Sequence, residues 1–136
     1  MRIELNTSFK SREVSFIKKK LDEYNLGYTD GYNEKPLNVF INEKGEIIGG
    51  LVGITYWKWL YIDRLWVDKK YRGKGLGAKI LETAEKEARL RGCTGIHLDV
   101  HDFQNIAFYK KRGFKIQGEI KDLPEEHSRY LIIKIL

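Results

Sequence analysis

The sequence predicts a single-domain α/β fold, a mixed sheet whose elements run β-α-β-β-β-α-β-α-β-β. Three observations carry that expectation. An apolar run, "LYIDRLWV", is followed by a helical repeat and then by "GIHLDV", the order of two parallel strands joined by a crossover helix. Paired strand-like runs flank this unit on both sides, and short connections make such pairs antiparallel. The 136 residues contain no repeat, low-complexity segment or Pro/Ser-rich linker, and they suffice for one domain, 1–136, with its own core.

Each element follows from its pattern. "RIEL" reads as a short first strand, and Val14, Ile17, Leu21 and Tyr24 then recur at helical spacing until Gly27. "YTDGYNEKP" is a polar, tyrosine-bearing loop. "LNVFIN" and "EIIGGLVGITY" are strands joined at "EKG", with Gly49, Gly50 and Gly53 pointing to a bulge or a close backbone approach. "LYIDRLWV" is largely apolar or aromatic, as a central strand should be. A helix from about Gly75 to Arg91 repeats Leu76, Ile80, Ala84 and Ala88 every fourth residue, with Glu82–Lys86, Glu85–Arg89 and Glu87–Arg91 as favourable pairs on its surface. Gly92 ends it. The strand "GIHLDV", the short helix "NIAFYKKR" closed by Gly113, and the strands "FKIQGEI" and "RYLIIKIL" complete the chain, with the acidic loop "KDLPEEH" between the last two.

Composition narrows the class. No apolar run is long enough to span a bilayer, and the N-terminus lacks a signal-peptide core, so no membrane partner is expected. The single cysteine, Cys93, cannot form an internal disulfide and suits a cytoplasmic setting as a structural thiol. A net charge of +6 invites a nucleic-acid reading. The basic clusters are short, however, and two of them flank the glycine loop or the later helix, where they would attract a phosphorylated ligand instead.

That loop, "YRGKGLGA", places three glycines in five positions at a helix start, fenced by Arg72 and Lys74. A helix N-terminus offers unpaired N–H groups and partial positive charge, which favour an anion. A Walker-type phosphate loop needs Ser or Thr after Gly-Lys, but Gly75 follows Lys74. A dinucleotide fingerprint matches formally, with Asp99 lying 21 residues beyond Ala78. Five residues separate Val67 from Gly73, though, and the chain ends after one βαβ unit.

The remaining pattern is R-x-x-G-x-G, met by Arg72, Gly75 and Gly77. With "LWVDKKYRGKGLG" before it and "FYKKRGF" after an intervening strand, it resembles the GNAT superfamily of acyl-CoA-dependent N-acyltransferases, from about Phe40 to Ile120. The resemblance implies a GNAT-like sheet whose two central parallel strands splay apart. It implies acetyl-CoA as cosubstrate, its pyrophosphate on the backbone of Arg72, Gly73, Lys74, Gly75, Leu76 and Gly77. Its pantetheine arm would pair with main-chain groups of Leu65 and Val67. A homodimer is a family expectation. No metal is needed.

Transfer to an amine requires a neutral nucleophile, whereas an alkylammonium has a pKa of about 10.4. The leaving thiolate benefits from a proton donor, and a tyrosine held close suits that task. By resemblance Tyr109 is the general acid; by composition alone Phe108 and Tyr109 would be packing aromatics. The family's cofactor-holding asparagine, seven residues before that tyrosine, is Asp102 here, and Asn105 fits a helix cap instead. Asp63 is the first candidate base, directly or through water, with Asp99 second. His97, Asp99 and His101 alternate on one strand face, where a metal set is conceivable but a hydrogen-bonded face is the simpler reading. Trp57, Trp59, Tyr61 and Trp66 surround a hairpin, and part of this run would line an acceptor cleft together with the acidic loop from Asp122 to Glu126 and with Tyr28 and Tyr32. The sequence thus points to an N-acetyltransferase acting on a cationic small molecule or peptide amine. A non-catalytic acyl-CoA-binding module and a basic nucleic-acid-binding domain are the competing classes.

Overall fold

The computed structural model describes residues 1–136, which divide into two compact units, Met1–Tyr32 and Asn33–Leu136. In the first unit residues 1–10 carry no strand, so the strand expected at "RIEL" is absent. A strand needs a ladder partner for its backbone groups, and this segment pairs with none. Helix α1, Arg12–Asn25, starts where the Ser11 side chain accepts the Val14 N–H at 3.1 Å. The following loop is tied back to the same helix. The Tyr32 hydroxyl donates to Asp22 Oδ1 at 3.1 Å and accepts from Asn25 Nδ2 at 2.7 Å. The Tyr28 and Tyr24 hydroxyls lie 3.2 Å apart.

The second unit contains β1 (Lys35–Glu43), β2 (Glu46–Tyr56), β3 (Trp59–Val67), a 3₁₀ turn (Lys69–Tyr71), α2 (Leu76–Leu90), β4 (Gly95–His101), α3 (Ile106–Lys110), β5 (Lys115–Lys121) and β6 (Ser128–Ile135). They form a mixed α/β fold on one six-stranded sheet in the order β1-β2-β3-β4-β6-β5. Only β3 and β4 run parallel, and α2 is their crossover. Their pairing stops after Trp59↔Gly95, Leu60↔Ile96 and Tyr61↔His97, so the rest of the two strands part. No helix is long and apolar enough to cross a membrane.

One face of this sheet forms the core. Ile80, Leu81, Ala84 and Ala88 of α2 pack on Leu37, Leu51, Leu60, Ile62, Ile96, Leu98, Val100 and Ile132. Cys93 is buried in the same cluster, and desolvation raises its thiol pKa, as fits a structural thiol. Arg91, just past the end of α2, donates from Nη1 to Thr55 Oγ1 at 3.0 Å and to the Lys35 carbonyl at 3.2 Å, fastening that end to β1 and β2.

A β-bulge sets what β3 presents. Val52 pairs with Arg64 and Gly53 with Ile62, which leaves Asp63 as the extra residue. Leu60 and Ile62 therefore face the core before the bulge, while Leu65 and Val67 pack against it afterwards. Without the bulge, Arg64 and Trp66 would turn inward. The opposite face carries Trp59, Tyr61, His97 and Asp99.

Candidate active site

The loop after β3 is built by local hydrogen bonds. Asp68 caps the 3₁₀ turn by accepting the Lys70 N–H at 2.9 Å. Arg72 folds back so that its Nε donates to the Val67 carbonyl at 2.9 Å, binding the loop to the end of the parted strand. Gly73 and Gly75 have φ of 77° and 79°, a region that L-residues enter only at a cost. A Cβ at either would meet nothing within 4 Å, so backbone conformation, not crowding, demands these glycines. Gly75 is the N-cap of α2 and offers no side-chain cap; the first amide paired within the helix is that of Lys79, to the Gly75 carbonyl at 3.1 Å. The amides before it leave the helix end with partial positive charge, beside Arg72 and Lys74. An open, left-handed backbone with uncapped amides and two cations fits a pyrophosphate.

Gly77 follows two residues on, next to α3. It lies inside the first turn of α2, and a Cβ there would come within 3.4 Å of the Phe108 ring. At that distance, close to ordinary contact, the Phe108 ring packs against the start of α2. Phe108 in turn stands perpendicular to Tyr109, with centroids 5.0 Å apart, and Arg112 lies 3.9 Å above the Phe108 ring. The anion loop and the candidate acid are therefore coupled through one aromatic ring.

Tyr109 is buried, edge-on to Phe114 at 5.5 Å. Its hydroxyl makes no hydrogen bond within the chain, yet no fully enclosed side-chain oxygen is left without a partner, so the oxygen reaches the surface. Burial pushes its pKa up to about 12, which keeps the phenol protonated. Asn105 caps α3 by accepting the Phe108 N–H at 3.1 Å.

The two candidate carboxylates differ. Asp63, on the bulge, is exposed and takes a 3.2 Å contact from Arg64 Nη1. Asp99 is held by Arg129 Nη2 at 2.6 Å. Both negative charges act on Tyr61, whose pKa is raised first by burial and then by Asp63 and Asp99. No three His, Cys, Asp or Glu side chains assemble as a metal set. His97 packs among aromatic rings, and His101 stacks on Phe103 at 5.2 Å.

Sequence reasoning missed one pairing. Asp102 accepts the Ser128 N–H at 2.8 Å and pairs with His127 Nδ1 at 2.7 Å. The Ser128 amide and then His127 lower the Asp102 pKa. This bond fastens the acidic β5–β6 connection to the end of β4. No pattern in the sequence signals it. The Tyr28 and Tyr32 hydroxyls hydrogen-bond to residues of the first unit.

The sequence model of the Acetyltransferase (GNAT) family matches residues 4–114, and the chain belongs to that family. It is 40% identical over 107 residues to the blasticidin-S acetyltransferase of Streptomyces morookaense, covering 75% of this chain and 79% of that one. An acetyltransferase of Bacillus cereus superposes with a TM-score of 0.91 at 36% identity, covering 100% of this chain and 98% of its own. An acetyltransferase of Bacillus anthracis, solved in complex with acetyl coenzyme A, superposes with a TM-score of 0.66 at 27% identity, over 74% of this chain and 62% of that one. Acetyl-CoA is the family's acyl donor.

Proposed function

We propose that this enzyme transfers the acetyl group of acetyl-CoA to a cationic primary amine, by direct attack while donor and acceptor are bound together. The observation that carries the reading is the end of β3–β4 pairing at Tyr61 and His97, directly before the bulge at Asp63 and the glycine loop. Backbone groups of Leu65 and Val67 would hold the donor's pantetheine arm, and the amides and cations from Arg72 to Gly77 its pyrophosphate. A similarity to a blasticidin-S acetyltransferase supports a small-molecule acceptor.

In this reaction the acceptor nitrogen bonds to the carbonyl carbon and the carbon–sulfur bond breaks. The departing thiolate takes its proton from Tyr109, which regains one from solvent through its surface-reaching oxygen. A cationic acceptor first gives one proton to Asp63, directly or through water, and the neutral nitrogen then attacks. Its second proton passes to solvent, which balances the one that Tyr109 regains. Asp63 is preferred over Asp99 because it stands at the bulge just past the last β3–β4 pair, and its Arg64 contact at 3.2 Å is longer than the 2.6 Å bond by which Arg129 holds Asp99. The deciding experiment is thiol release from acetyl-CoA with a panel of amines, polyamines, aminoglycosides and lysine peptides. Release that depends on an amine supports transfer. Tight donor binding without such release would leave a non-catalytic acyl-CoA-binding module.

A further inference from the structure

The outer sheet face holds a cavity of about 320 Å³ that the reaction above does not use, lined by Tyr56, Trp57, Trp59, His97, Leu131 and Ile133. Its size lies at the small end of ligand sites, roughly 300–1,000 Å³, which suits one compact ring system more than a chain. Aromatic rings form one side, and the branched side chains of β6 the other.

The walls are held by specific features of the chain. Trp57 and Lys58, the two residues turning β2 into β3, have φ of 47° and 62°. A two-residue turn of this kind ordinarily takes Asn-Gly, so the chain holds a tryptophan there against its backbone preference. Trp59 lies across Gly95, where a Cβ would come within 2.4 Å of the indole. Only glycine at that position lets the indole lie flat on β4. His97 sits among Tyr61, Trp59 and Tyr56, with ring centroids 5.0, 5.9 and 6.4 Å away.

His97 is the polar element of this wall. Its ring nitrogens make no hydrogen bond within the chain, and no enclosed polar atom lacks a partner, so they face open space. Burial lowers its pKa, which keeps the ring neutral and able to donate at one nitrogen and accept at the other. Tyr61 and His97 are also the last paired residues before β3 and β4 part. The cavity therefore adjoins the place where the acetyl group would be delivered.

We propose that this cavity is the acceptor subsite for a flat aromatic or heteroaromatic ring, tethered to the reacting amine and hydrogen-bonded along its edge to His97. The inference rests on the amine-acetylation reading and narrows it from cationic amines in general to ring-bearing ones. Planar rings find edge and face contacts with Trp59 and Tyr56, and the aliphatic side chains of Leu131 and Ile133 border the open cavity.

The test compares tryptamine with n-butylamine as acceptors, and uses 3-methylindole, which has the ring but no aliphatic amine. Tryptamine is expected to exceed butylamine in kcat/KM by roughly 10–200-fold, the range that pocket contacts supply. Trp59→Ala should collapse that ratio by removing a wall, and Gly95→Ala should do so by driving the indole into the slot. 3-Methylindole should bind as measured by calorimetry and compete with tryptamine, without competing with acetyl-CoA. Equal kcat/KM for the two amines, or ring binding that does not compete with the acceptor, would overturn the subsite. Ring binding to an enzyme that acetylates no amine would count for the cavity and against the amine reading, so the two failures are separable.

Discussion

Tyr109 is where a single oxygen tests the proposed mechanism. Tyr109→Phe keeps the ring between Phe108 and Phe114 and removes only the donor. The expected result is a fall in kcat of roughly 10²–10⁴ with little change in KM for acetyl-CoA, since the lost interaction belongs to the transition state. Steady-state kinetics on the folded variant check it, and near wild-type kcat would return Tyr109 to packing. The same burial has a stability signature. The folded-state pKa of about 12 stands above the unfolded value of 10.0, so the neutral phenol contributes stability that is fully present below the unfolded value. As pH rises from about 10 toward about 12, the unfolded chain loses this proton first and the native state is progressively penalised. Denaturation midpoints should therefore fall more steeply in that window for the wild type than for Tyr109→Phe.

Among the elements, the glycine loop and the bulged strand carry the site. Gly75→Val places a branched side chain at φ 79°, at a strain of about 1–2 kcal/mol, in the open loop that leads into α2. Acetyl-CoA affinity should drop strongly while the fold persists, as calorimetry and circular dichroism can establish; unchanged affinity would take the loop out of the binding site. Much of this level was legible in the sequence, because helical spacing at Ile80, Ala84 and Ala88 and the turn glycines act locally. The parallel pair was legible too, since a helix between two apolar strands leaves few other topologies. Other features depend on distant partners. "RIEL" has strand-like residues but no ladder, and the bulge at Asp63 exists only in register with Val52 and Gly53. The Phe108 ring, likewise, meets Gly77 only in the fold. The Asp102–His127 bond joins residues 25 apart in the chain, and no local pattern announces it.

For the whole molecule, charge distribution separates the competing readings. The net charge of +6 coexists with an acidic β5–β6 connection that Asp102 and His127 fasten to the end of β4. If that connection attracts cationic acceptors, Glu125→Gln with Glu126→Gln should raise KM for a polyamine more than for acetyl-CoA, and the difference should shrink as salt rises. A loss that ignores salt would place the acidic residues away from the acceptor. The parted strands have a mechanical meaning as well. Beyond three residue pairs, β1-β2-β3 and β4-β6-β5 are two half-sheets that share no ladder, spanned by the core beneath α2. A donor lying between the two edges would act as a removable seam, so its binding energy would become folding energy. At a donor concentration 100 times Kd this amounts to about 2.7 kcal/mol. Amide exchange should slow most along Asp63–Val67 and the facing end of β4, and little in β1 or β5. An enzyme stitched in this way would resist unfolding and proteolysis when acetyl-CoA is plentiful and yield to both when it is scarce, its lifetime following the supply of its own substrate.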